Sequence, residues 1–172
     1  AGHAALPHMT RDPVVAAGHA IVAAQSIVSR NTDPLKSGVV SITVLEAGEA
    51  QNQVPAEATL KGTSRWLDDS VGQGIEDGLR RGAEGVGLTF GVEGTLLFRR
   101  GVPVTANHPA ERDLAAAAAS AVTTVRRDMA PAMTGEDSSW FLHEVPGAFV
   151  WIGNGPAEGG CELHHPGYDF NY

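Results

Sequence analysis

Gly38-Val39-Val40-Ser41-Ile42-Thr43-Val44-Leu45-Glu46 and, after Asn52 and Pro55, Ala58-Thr59-Leu60-Lys61-Gly62-Thr63-Ser64-Arg65-Trp66-Leu67 are the two runs on which the fold turns. Val39, Val40, Ile42, Val44 and Leu45 make the first run rich in β-branched side chains, and the second has the same strand-like character, so two neighbouring strands are expected. A helix precedes them. Asp12 can cap it, Pro13 suits its first turn, and Val14, Ala17, Ile21, Ala24 and Val28 recur at spacings of three and four. A second helix follows, opened by Asp68, Asp69 and Ser70, with Val71, Ile75, Leu79, Gly82 and Val86 on one side. Gln73 stands three residues after Ser70, as in a capping box. Gly72, Gly74, Gly78, Gly82, Gly85 and Gly87 weaken this helix. From Val92 to Arg99 the alternation of Val92, Gly94, Leu96 and Phe98 suggests one more half-buried strand.

The order is therefore helix, strand, strand, helix, strand. With one further strand placed just before Ala1 it becomes βαββαβ, the ferredoxin-like split βαβ arrangement in which two helices cover one face of an antiparallel sheet. Gly101 to Pro109, with its prolines and turn-forming residues, makes a natural boundary. Beyond it, Ala110–Asp128 reads as an alanine-rich helix, Glu136–Glu144 as a short polar-aromatic helix and Ala148–Ile152 as a short apolar strand. These elements are too few to close a core of their own. The expected division is 1–105 and 106–172, an α+β domain followed by part of a larger α/β domain.

Composition narrows the function. Twelve basic against twenty acidic side chains give a formal charge of −8, and no basic run exceeds the pairs Arg80-Arg81, Arg99-Arg100 and Arg126-Arg127. Neither nucleic acid nor a membrane surface is an expected partner. Cys161, the single cysteine, excludes an internal disulfide, and no apolar stretch approaches the roughly 20 residues of a membrane span. A cytoplasmic protein is the expectation.

Four stretches carry chemistry when taken together and in order: Gly2-His3-Ala4-Ala5-Leu6-Pro7-His8; Asn52-Gln53-Val54-Pro55 with Gly62-Thr63-Ser64-Arg65; Met133-Thr134-Gly135-Glu136-Asp137; and Leu163-His164-His165-Pro166-Gly167-Tyr168-Asp169-Phe170-Asn171. In these the chain resembles the metal-dependent amidohydrolases that include aminoacylase, hippurate hydrolase and the indoleacetyl-amino-acid hydrolases. The resemblance implies a lid domain through which subunits dimerise, here residues 1–105, and a zinc-peptidase-like α/β catalytic domain, of which residues 106–172 are the C-terminal part. It also implies two divalent cations, Zn or Mn, which acidify a water and hold the oxygen that becomes negative. The implied substrate is a small N-acyl amino acid or peptide-like amide.

By the same resemblance His3 matches a lid histidine that reaches into the neighbouring subunit's active site and donates to the tetrahedral oxyanion; the bland alternative is a histidine at a strand end. Asn52 and Arg65 match lid positions near the substrate carboxylate, which a planar guanidinium binds through paired charge-assisted hydrogen bonds. Their ordinary readings are a turn asparagine and an exposed strand arginine. His164 matches the C-terminal metal-ligating histidine, and His165 departs from the family's usual asparagine. His8 is expected to be structural or to line a rim. Glu136 and Asp137 fit helix capping as well as a place near the active site, and Ser138 replaces an aromatic residue usual in the family.

The family's other ligands and its glutamate base precede the lid, so these residues are expected to be an incomplete and inactive part of the enzyme. Both ends read as truncated. The alternative is a non-catalytic dimerisation or small-molecule-binding module. The tail from Met133 to Tyr172 speaks against it, because a free-standing module has no use for a metal-site motif.

Overall fold

A computed structural model of the chain describes residues 1–153 and 165–168. They divide into two compact units, Ala1–Val104 with Ala130–Gly135, and Thr105–Met129 with the residues from Glu136 onward. The architecture is mixed α/β. Among the described residues no helix is long and apolar enough to cross a membrane.

The first unit opens with β1 (Gly2–His3), a single 3-10 turn at Pro7–Met9, and α1 (Pro13–Asn31). Asp12 caps α1, its carboxylate accepting from the backbone N–H of Val14 at 2.8 Å and of Val15 at 3.3 Å. The N-terminal amides have no intrahelical partner, so a carboxylate there replaces water and also meets the positive end of the helix. Then come β2 (Gly38–Ala47), β3 (Gln53–Val54) and β4 (Ala58–Trp66). β2 pairs antiparallel with β4, and β1 pairs antiparallel with β3, giving two separate two-stranded sheets.

α2 (Asp69–Phe90) closes the order. Its cap is Asp68, which accepts from Ser70 N at 2.8 Å. The capping box expected from Ser70 and Gln73 does not form, because Gln73 is engaged by Asp77 and Arg100 instead. The Lys36 ammonium lies 2.8 Å from Asp68 and tethers the approach to β2 onto the start of α2. Gly91 ends the helix in the left-handed conformation, φ 65°, its N–H returning to Gly87 O. That backbone shape favours glycine.

Three of the six glycines that weaken α2 are packing devices. A Cβ on Gly72 would fall 2.4 Å from the Trp66 indole, and one on Gly78 would fall 3.0 Å from Ile27. A Cβ on Gly87 would strike the returning backbone at residues 92–94. The side chains of Ile27 and Trp66 therefore pack directly on the backbone of α2, and the loss of helix propensity is offset by this contact with α1 and β4. The core is Ile27, Val71 and fully buried Ile75, joined by Val40, Trp66, Leu79 and Phe98.

The strand expected over Val92–Arg99 does not form a ladder among the described residues. Its side chains nevertheless alternate as a strand's do, with Val92, Gly94, Leu96 and Phe98 half-buried and the residues between them exposed. Phe98 stacks on Trp66, ring centroids 6.4 Å apart. Arg100 holds the end of the segment to α2 through Gln73 at 2.6 Å and Glu76 at 3.1 Å. A ladder needs a second strand alongside, and none of the described strands pairs with this segment.

In the second unit α3 spans Pro109–Ser120, eight residues short of the expected end at Asp128, and α4 spans Ser138–Glu144. The expected strand at Ala148–Ile152 forms no ladder among the described residues. In its place Asn107 acts as a one-residue partner: its amide donates to Phe149 O at 2.8 Å and accepts from Phe149 N at 2.7 Å. His108 completes the pairing, its N–H donating to Gly147 O and its Nδ1 accepting from Gly147 N.

Candidate functional site

The segment from Gly2 to Thr10 folds into a tight knot, and each motif residue has a physical reason to be there. Gly2 lacks a side chain because the Thr10 methyl already occupies the place of a Cβ, at 2.4 Å. β1 pairs Gly2 with Val54 and His3 with Gln53, and Ala4 N extends the contact to Asn52 O at 2.9 Å. The chain then turns back on itself. Leu6 N donates to His3 O at 2.9 Å, Met9 N to Leu6 O, and Thr10 N to Pro7 O. Pro7 sits at the start of the 3-10 turn, where no N–H is missed.

His3 is exposed, and its Nδ1 accepts the backbone N–H of Ala5 at 3.0 Å. A neutral imidazole has one N–H and one lone pair, and this contact uses Nδ1; among the described residues Nε2 makes no hydrogen bond.

His3 and Asn52 are brought together by this ladder. Asn52 uses its backbone carbonyl to hold the His3 turn, and its side chain is exposed at the bend before Gln53. Arg65 lies on the other sheet, opposite Val39, and no hydrogen bond or ion pair among the described residues links it to His3 or Asn52.

A β-bulge between Ile42 and Val44 leaves Thr43 without a partner residue on β4. Gly62 stands across from it, where a Cβ would meet Ser41 O at 2.2 Å. The glycine of the Gly62-Thr63-Ser64-Arg65 motif thus admits the bulge, and bulges re-aim the side chains beside them. Arg65 is exposed and donates to the adjacent Ser64 O at 3.0 Å; no carboxylate pairs with it among the described residues. Its remaining guanidinium donors are free for an anionic ligand. A cleft of about 540 Å³ lies beside the knot, lined in part by His8, Arg11 and Glu93; it includes none of His3, Asn52 and Arg65.

In the second unit neither Glu136 nor Asp137 caps α4 with its side chain. The cap is made by backbone: Glu136 O accepts both Ser139 N at 3.1 Å and Ser139 Oγ at 2.6 Å, and Ser139 is fully buried. The Ser138 and Thr105 hydroxyls are buried without a hydrogen-bond partner among the described residues. His165 repeats the His3 pattern, its Nδ1 accepting Gly167 N at 3.0 Å. His164, the expected metal ligand, lies outside the described residues, as does Cys161. Among the described residues no three His, Cys, Asp or Glu side chains converge as a cation would need.

Sequence reading missed Asn107 and Ser139. Asn107 lies in the turn-rich run Gly101–Pro109, where an asparagine looks like ordinary turn chemistry, and only its partner 42 residues away reveals its work. Ser139 carried no signal at all, since a serine in the first turn of a polar helix is unremarked.

The profile of peptidase family M20/M25/M40 matches residues 8–171. An N-acetyldiaminopimelate deacetylase of Streptococcus thermophilus (strain CNRZ 1066) is 39% identical over 169 residues, covering 96% of this chain and 44% of its own length. An N-acetylcysteine deacetylase of Bacillus subtilis (strain 168) is 35% identical, with 97% and 43% covered. Among solved structures, the Bacillus subtilis YXEP protein, a dinuclear metal binding peptidase from the M20 family, superposes with a TM-score of 0.73 at 31% identity over 92% of this chain and 40% of that one. The chain spans less than half the length of these relatives.

Proposed function

The chain belongs to peptidase family M20/M25/M40, and on that premise we propose that it is part of a hydrolase that cleaves the amide bond of N-acyl amino acids or related small amides. Residues 1–105 are proposed as the lid through which two subunits pair, and 106–172 as the C-terminal part of the catalytic domain. The observation that carries the reading is His3: an exposed imidazole whose Nδ1 is held by the Ala5 amide in a knot of backbone hydrogen bonds, and whose Nε2 makes no hydrogen bond among the described residues. The two similar deacetylases support the substrate class, because both take N-acetylated amino acids.

A donor already aligned on the position where negative charge develops costs no reorganisation during the reaction, and such a group lowers the barrier by roughly 3 kcal/mol. His3 is given this role, towards the active site of the partner subunit. Arg65, with unpaired donors, would take the carboxylate of the amino-acid part, assisted by Asn52. Two divalent cations, Zn or Mn, would supply an acidified water and polarise the carbonyl. Of the residues in this sequence His164 is proposed as a ligand. His165 is a poorer choice because its Nδ1 is taken by Gly167 N, which leaves the proton on Nε2. A catalytic cation takes about three protein ligands, so these 172 residues are proposed to be inactive alone.

The test uses an intact relative carrying the same motifs. The counterpart of His3→Ala should keep its metal and lose roughly two to three orders of magnitude in kcat, and that of His164→Ala should lose metal and activity together. Mixing a subunit lacking the His3 counterpart with one lacking a metal ligand should restore one working site per heterodimer. A dead mixture in which heterodimers demonstrably form, or loss of metal on changing the His3 counterpart, refutes the assignment.

A further inference from the structure

We propose that the backbone N–H of Ala5 is a positioning group that fixes His3 as its Nε2–H tautomer. The inference rests on the reading of His3 as a donor and adds what makes it one. A neutral imidazole in water exchanges its proton between two nitrogens, and a site that needs a donor at one of them loses the fraction of molecules in the other form. Ala5 N lies 3.0 Å from His3 Nδ1. A peptide nitrogen can only donate, so a proton on Nδ1 would set two hydrogens face to face.

The amide cannot turn away, because the peptides around it are held. Ala4 N is bound to Asn52 O and Leu6 N to His3 O, both at 2.9 Å. Gly2 adds to the restraint, since the Thr10 methyl occupies the position its Cβ would take. The turn thus has the role that a second hydrogen-bonding side chain has behind a ligating histidine, fixing ring and tautomer through the nitrogen that does no chemistry. A hydrogen bond of ordinary net strength favours the Nε2–H form about five- to tenfold beyond its preference in free histidine.

The test is two-bond proton–nitrogen correlation NMR on the 172-residue chain labelled with nitrogen-15, at a pH where the imidazoles are neutral. His8, which makes no side-chain hydrogen bond among the described residues, is the internal reference. His3 should show Nε2 as the protonated nitrogen and Nδ1 as an unprotonated, hydrogen-bonded one, with less averaging than His8. Ala5→Pro, which deletes the N–H, should shift the His3 resonances towards those of His8 while the far-ultraviolet circular dichroism is kept. His3 resonances averaged like those of His8, or a protonated Nδ1, overturn the proposal. Should Ala5→Pro fail to fold, the comparison of His3 with His8 in the unaltered chain decides alone. The resonances are read without any turnover, so a locked tautomer in a chain whose intact relative works without this histidine would reject the catalytic reading and leave the lock standing.

Discussion

Replacing Gly72 and Gly74 by alanine, one at a time, tests the claim that α2 docks through its glycines. Both lie two residues apart in the same helix, so the gain in helix propensity, about 1 kcal/mol, and the reduced freedom of the unfolded chain are common to the two changes. Their surroundings differ. A Cβ at Gly74 meets nothing within 4 Å, whereas at Gly72 it falls 2.4, 2.6 and 2.7 Å from Cε2, Nε1 and Cδ2 of Trp66. Carbon atoms pack at about 3.5–4.0 Å, so the indole must retreat by about 1 Å. The atoms met belong to the fused ring and not to a flexible tip, and that ring is stacked on Phe98 at the edge of the Ile75 core. Overpacking of this kind costs about 1–3 kcal/mol. The shared terms cancel in the comparison, so Gly74→Ala should be more stable than Gly72→Ala by about 1–3 kcal/mol. Urea denaturation followed by far-ultraviolet circular dichroism measures it. Equal midpoints for the two variants would show that Trp66 does not press on α2, and the account of helix docking would fall.

Asp68 gives a pH signature: hydrogen bonds from Lys36 and Ser70 hold its carboxyl well below the ordinary value of 3.8. A depressed folded-state pKa contributes stability above the ordinary pKa and loses it as the pH falls through and below that value, so acid unfolding monitored by circular dichroism should begin at higher pH in Asp68→Ala than in the parent. Asn107→Ala removes both hydrogen bonds to Phe149 and should cost about 1–2 kcal/mol in urea denaturation; an unchanged midpoint would refute the clamp. Gly62→Ala should disturb the β2–β4 pairing at the bulge, seen as faster amide hydrogen exchange at Ser41 and Ile42, because the new methyl meets backbone that cannot step aside.

The sequence by itself determined the local elements of the first unit. Asp12-Pro13 and the spacing of apolar residues place α1, the β-branched runs place β2 and β4, and the segment opened by Asp68, with Val71 to Val86 on one side, reads as a helix despite its glycines, because each signal lies within a few residues of the structure it specifies. The motifs also carried the family, since chemistry held by Gly2-His3-Ala4 or Gly62-Thr63-Ser64-Arg65 is written in adjacent residues.

What only the tertiary structure decided depends on partners distant in sequence. The alternation at Val92–Phe98 specifies a half-buried extended segment, yet a ladder also needs a neighbour, and local pattern cannot supply one. Gly72 and Gly78 look like defects until Trp66 and Ile27 are set against them. Asn107 reads as a turn residue until Phe149 arrives beside it. The same holds for the candidate site: His3 was legible as a histidine in a motif, but which of its nitrogens is engaged follows from the turn that brings the Ala5 amide onto Nδ1 and from the Asn52 carbonyl, 49 residues beyond His3, that holds the turn in place.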